Sequence, residues 1–156
     1  MPGAVEQKLA ELGITLHEPV SPVANYVGFV RTGNLLFVSG QICLGADGKL
    51  IAKGKLGANV SLEDGVAAAK GCAVNILAQV KAALGDLDKV ARVVRLGGFV
   101  NATPTFSDHP KVVNGCSDLF ANVFDRIGGH ARSAIGVGSL PGNITVEIEA
   151  VVEIAA

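Results

Sequence analysis

Arg132 and Glu147 are the residues of this chain whose types and spacing point most directly to chemistry. They sit on either side of Leu140-Pro141-Gly142-Asn143, inside the stretch from His130 to Glu153, HARSAIGVGSLPGNITVEIEAVVE. Proline presets φ for a tight turn, and Gly142 or Asn143 can take positive φ, so the stretch is expected to reverse and pair as an antiparallel hairpin. That hairpin lays a cation and a carboxylate on adjacent strands of one surface. An arginine fork there can grip a carboxylate in bidentate fashion, while the glutamate holds a water or moves a proton. The competing reading is a cross-strand ion pair on a solvated face, contributing about 0.2–1 kcal/mol. Spacing alone leaves both open. Glu149 shares the strand face of Glu147 and rivals it for the same role, whereas Glu153 is expected to be solvated.

Other site chemistries find little support. Gly136-Val137-Gly138 precedes a proline turn and not a helix, so it is no dinucleotide loop. His109 and His130 lie a whole helix apart with no cysteine or acid at ligand spacing, so they are expected to be structural, and no metal site is expected. No serine has a local base. Three cysteines, Cys43, Cys72 and Cys116, match neither a disulfide framework nor a metal pair and read as buried, reduced thiols. A net charge of −1 leaves no basic surplus for a phosphate backbone, which argues against nucleic acid. The N-terminal stretch lacks a signal-like pattern and no apolar run is long enough to span a bilayer, so neither a membrane nor export is expected and the reading is cytoplasmic.

The elements that must position the pair can be read in order. At 156 residues the chain is expected to form one domain over 1–156. Val5, Leu9 and Leu12 suit a short helix ended by Gly13, and Pro19 and Pro22 make an extended connector, with His17 at the surface. Residues 26–31 and 35–41 flank Thr32-Gly33-Asn34 as a first hairpin. Lys49 to Val60 reads as a short strand or loop. Ser61, with Asp64 three residues on, opens a long helix whose stripe runs Val66, Ala69, Ala73, Ile76, Leu77, Val80 and Leu84 before Gly85 stops it. Residues 91–100 suit a strand. A helix beginning near Pro110 carries Val112, Val113, Cys116, Leu119, Phe120, Val123, Phe124 and Ile127 on one side, and Gly128-Gly129 ends it. The resulting order is ββ(β)αβαββ, with two helices covering one sheet face.

With 49% hydrophobic and 17% charged residues, the chain is more apolar than a monomer of this size readily buries. The second sheet face, taken as equally apolar along the last strand, is expected to require a partner. Several hundred Å² of such surface is worth roughly ten kcal/mol or more at about 25 cal/mol per Å², before association costs. Self-association follows as the expectation.

Three stretches are similar to a known family. Ala131-Arg132-Ser133-Ala134-Ile135-Gly136, then Leu140-Pro141, then Val146-Glu147-Ile148-Glu149-Ala150 resembles the C-terminal signature of the Rid/YjgF reactive-intermediate deaminases. Asn34 to Gln41 resembles the family's first hairpin, and the likeness runs from Asn25 to Glu153. It implies an α+β, chorismate-mutase-like fold with a mixed sheet, a homotrimer around a central barrel, and ligand pockets at the subunit clefts. It also implies a cofactor-free deaminase of 2-imino or enamine acids. Carried over by position, Arg132 grips the substrate carboxylate and Glu147 positions the hydrolytic water. Tyr26, Ser39, Gly40 and Asn114 line the pocket.

Two positions depart from the pattern. Asn25-Tyr26-Val27-Gly28 stands where many members read Pro-Tyr-Ser-Gln, and Ala134 stands where many carry cysteine. With the longer N-terminal arm, these mark a side branch. The expected function is hydrolysis of reactive imines to 2-oxo acids and ammonia. The alternative is a non-catalytic binder of a 2-oxo acid or related carboxylate. The ribonuclease label attached to the family fits poorly with the charge balance.

Overall fold

The computed structural model describes residues 2–156; Met1, within the expected 1–156 unit, lies outside the described residues. Helix α1 spans Ala4–Glu11 and has no capping side chain of its own. The Asp88 carboxylate caps it instead, accepting from the Ala4 and Val5 amides at 2.8 and 2.9 Å, which satisfies first-turn donors and places a negative charge at the helix's positive end.

Strands β1 (Phe29–Thr32) and β2 (Leu35–Ile42) form the expected hairpin, with Gly33 at φ +59°. Helix α2 (Leu62–Leu84) begins where Ser61 Oγ accepts from the Asp64 amide at 3.1 Å and ends at left-handed Gly85. Strand β3 is Val90–Asn101, α3 is His109–Phe124, β4 is Ala131–Val137 and β5 is Val146–Ile154. Residues 49–60 form no full strand but are tied down by bridges from Lys53 to Ile144 and from Leu56 to Ala102.

The five strands make one mixed sheet in the order β1-β2-β5-β3-β4, with only the β3–β4 pair parallel. Helices α2 and α3 pack on one face, and together with the three α-helices the fold is α+β. All three cysteines are free and buried. Among the described residues no helix is long and apolar enough to cross a membrane.

Two expectations are corrected here. The turn at Pro141 exists, with Gly142 at φ +63° and Asn143 at φ +57°, but β4 and β5 are not a hairpin. Strand β4 returns through α3 to lie parallel to β3, and the turn then carries the chain across to the other side of β3, where β5 fills the slot beside β2. A strand–helix–strand crossover makes the parallel pairing natural, and turn chemistry is local and says nothing of which strand pairs with which. The second correction concerns the open face. On β5, Val146, Ile148, Ala150, Val152 and Ile154 are all buried toward the helices, so the side facing away carries Glu147, Glu149, Val151 and Glu153. The apolar content of that face comes instead from Val30, Phe37 and Ile135, each about half exposed, together with Val151.

Candidate functional site

Arg132 projects from the edge strand β4 on the helix side. Its register partner on β3 is Leu96, itself opposite Ala150, and both are buried beneath the helices. The guanidinium lies along α3, donating from Nη1 to Ser117 Oγ at 3.0 Å and from Nη2 to the Pro110 carbonyl at 3.2 Å. Pro110, Asn114 and Ser117 are spaced by four and three residues, hence stacked on one helix stripe. The exposed Asn114 therefore stands between the two anchor points of Arg132.

Ser117 is itself held. Its Oγ is 2.8 Å from His130 Nε2, and His130 Nδ1 is 2.6 Å from the Gly128 carbonyl. A carbonyl only accepts, so Nδ1 carries the proton, Nε2 accepts from the Ser117 hydroxyl, and Ser117 Oγ accepts from Arg132. The chain Arg132–Ser117–His130–Gly128 thus fixes the guanidinium while committing two of its five N–H donors. Ser117 and His130 were not among the expected site residues. They lie far from each other in sequence for a local motif, and the available signal was Asn114 and Ser117 three apart on one side of the helix.

Glu147 occupies the other side of the sheet. It pairs with Phe99 on β3 and Ile42 on β2, and Phe99 in turn pairs with Ile135. Since Ile135 and Arg132 are three apart on β4, they face opposite ways. The expectation that Arg132 and Glu147 share one surface on adjacent strands is therefore corrected: β3 separates their strands, and they point to opposite faces.

Tyr26, Ser39 and Gly40, by contrast, come together on the β1–β2 side and line a small cavity of about 90 Å³. The register slips between Val38 and Gln41, so Ser39-Gly40 forms a bulge beside Glu149. Ser39 Oγ donates to the Val27 carbonyl at 2.6 Å and its amide donates to Gly28 at 2.9 Å, which pins the segment bearing Tyr26. Gly40 lets the strands approach closely: a Cβ there would lie 3.0 Å from Glu147 Cδ, so the glutamate side chain would have to shift. Burial, and then the neighbouring Glu149 carboxylate, push the Glu147 carboxyl above its ordinary value of 4.5. The expected residues accordingly fall into two groups: Arg132 with Asn114 against α3, and Glu147 against Gly40, which also lines the cavity holding Ser39 and Tyr26.

An edge arginine preset by a helix and a part-buried glutamate beside a glycine bulge thus sit apart on a mixed sheet backed by two helices. Residues 6–153 match the model of the YjgF/chorismate mutase-like family, described as suspected endoribonucleases, and the chain belongs to that family. It is 45% identical over 153 residues to Protein TCP17 of Trypanosoma cruzi, covering 97% of this chain and 95% of that one. A 2-iminobutanoate/2-iminopropanoate deaminase of Dermatophagoides farinae is 29% identical over 133 residues, 85% of this chain and 88% of that one. The crystal structure of Atu1372 from Agrobacterium tumefaciens, a protein of unknown function, superposes with a TM-score of 0.90 at 49% identity, covering 98% of this chain and 93% of that one.

Proposed function

We propose that the chain is a cytoplasmic imine deaminase that hydrolyses 2-imino or enamine acids, and that it works as a homotrimer with sites at the clefts between chains. The observation that carries this reading is the Arg132 guanidinium, preset by Ser117 and Pro110 with donors left for a carboxylate. The similarity to a 2-iminobutanoate/2-iminopropanoate deaminase supports it.

In this mechanism Arg132 of one chain fixes the substrate carboxylate beside Asn114. Glu147 of a neighbouring chain, with Tyr26, Ser39 and Gly40 shaping the pocket, takes a proton from water. The hydroxyl adds to C2, the C=N electron pair moves to nitrogen, and nitrogen is protonated. Collapse of the carbinolamine breaks the C–N bond, releasing ammonia and leaving the 2-oxo acid, and Glu147 relays the proton. A carboxyl pushed above its ordinary value is a better base for this step than a solvated one. No cofactor enters the scheme. The polar rows and half-exposed Val30, Phe37 and Ile135 of the open face would meet other chains around a central barrel.

The second reading is a non-catalytic carboxylate binder, favoured by the placement of Arg132 and Glu147 on opposite faces, since one chain then holds only the gripping half of the chemistry. A trapped-product assay separates the two. Enzymatically generated imines incubated with the protein should yield 2-oxo acid above background, falling to background with Arg132→Ala. Binding without turnover would establish the second reading.

A further inference from the structure

A separate cavity of about 530 Å³ opens at the C-terminal ends of β3 and β4, within the size range of small-molecule clefts, and Arg132 is not part of its wall. Its polar side chains are Lys55, Thr103 and His109, its apolar wall includes Phe106 and Val137, and no aspartate or glutamate lines it.

Lys55 is built into place. The residue after it is clamped to the sheet, Leu56 N donating to the Asn101 carbonyl at 2.9 Å and Thr103 N to the Leu56 carbonyl at 3.0 Å. Lys55 Nζ donates to Asn101 Oδ1 at 2.8 Å and to the Gly138 carbonyl. Asn101 is fully buried, and its amide nitrogen is tied to Asn143 Oδ1 at 3.1 Å and to the Ile144 carbonyl at 3.0 Å, so its oxygen can only face the lysine. An ammonium has three donors, and two are committed to neutral acceptors. Among the described residues the ion pairs are Lys8–Asp125, Lys81–Glu6 and Lys111–Asp108, none of which involves Lys55. A part-buried cation with neutral partners and one donor remaining is stabilised by an anion at the open position.

His109 closes the other side. Its ring meets Phe106 edge-on with centroids 5.2 Å apart, and its Nε2 occupies the space 2.3 Å from where a Cβ on residue 136 would stand, so Gly136 is what admits the ring. We infer that this cavity is a second binding site, distinct from Arg132, for a small organic acid whose carboxylate meets Lys55 and His109 and whose apolar body lies on Phe106 and Val137.

The test is calorimetric titration of the full chain in an Arg132→Ala background, so that binding at the proposed substrate site does not contribute. The probes are 4-methylpentanoate and its uncharged analogue 4-methylpentanamide. The carboxylate should bind saturably with Kd below about 1 mM, and the amide about tenfold or more weaker. Lys55→Gln should weaken the carboxylate by about tenfold and leave the amide unchanged. A Cβ at Gly138 meets no atom within 4 Å, so Gly138→Leu adds bulk at the cavity wall while keeping the backbone carbonyl that accepts from Lys55, and should weaken both probes. That variant decides the matter should Lys55→Gln fail to fold. No saturable carboxylate binding, equal binding of acid and amide, or binding indifferent to Gly138→Leu would each overturn the inference.

Discussion

Arg132 and Glu147 stand on opposite faces of the sheet with β3 between their strands. One small substrate cannot touch both within a single chain, so the proposed mechanism requires the two from different chains. Arg132→Ala and Glu147→Gln should each be inactive alone. Co-assembled in equal amounts, they should recover about one quarter of wild-type turnover, the chance that an intact Arg132 faces an intact Glu147 in a cyclic oligomer. Turnover measured after mixing, denaturing and refolding checks this; no recovery would mean that Arg132 and Glu147 do not build one site between chains.

In the proposed mechanism the Ser117–His130 pair acts through Arg132 and not directly. Ser117→Ala removes the acceptor for Nη1 and frees the guanidinium to wander, which should raise KM about fivefold, near 1 kcal/mol, with kcat little changed. Ser117→Thr keeps the hydroxyl and should restore KM. A fall in kcat at constant KM would instead place Ser117 in the chemical step.

Much of this fold was legible because its signals are local. Ser61 with Asp64 marks the start of α2, Gly85 its end, and Gly33 the first hairpin, and each of these depends on residues within one turn. The residues from Arg132 to Glu147 were misread because a proline turn predicts reversal but not partnership. Strand β4 finds β3 through the helix between them, and no residue near Pro141 carries that information. The face assignment followed the same error: alternation along β5 correctly placed Glu147 with Glu149, but relating β5 to β4 needed the sheet order. The grouping of Tyr26, Ser39 and Gly40 was expected from family resemblance. The proximity of Gly40 to Glu147 depends on the bulge between Val38 and Gln41, which periodicity alone does not reveal.

The raised Glu147 carboxyl has a thermodynamic consequence. The folded chain holds this proton more tightly than the unfolded chain, so the group's contribution to stability is greatest below its ordinary value of 4.5 and is lost as pH rises through the raised value. Glu147→Gln is neutral throughout and lacks that loss. The Tm difference, variant minus wild type, should therefore increase across this window and level off above it. Thermal melts at a series of pH values check it, and a flat difference would mean that Glu147 ionises in the folded chain as it does in water.

The last prediction concerns the scaffold beneath Arg132. Helices α2 and α3 approach so closely at Gly115 that a Cβ there would stand 2.1 Å from the Val66 carbonyl oxygen. Alanine is ordinarily the better helix former by about 1 kcal/mol, but a backbone oxygen cannot move aside as a side-chain tip can. Overpacking of this kind costs about 1–3 kcal/mol or more, so Gly115→Ala should lower Tm by several degrees despite its helix propensity. Gly65→Ala is the matched comparison, because its Cβ would meet the flexible Leu56 Cδ1 at 3.0 Å, and its Tm should change much less. Gly115 lies between Asn114 and Ser117 on the helix that anchors Arg132, so displacing α3 should also raise KM in the surviving folded enzyme. A stabilised Gly115→Ala with unchanged KM would show that the close approach of the two helices is not what sets the position of the arginine.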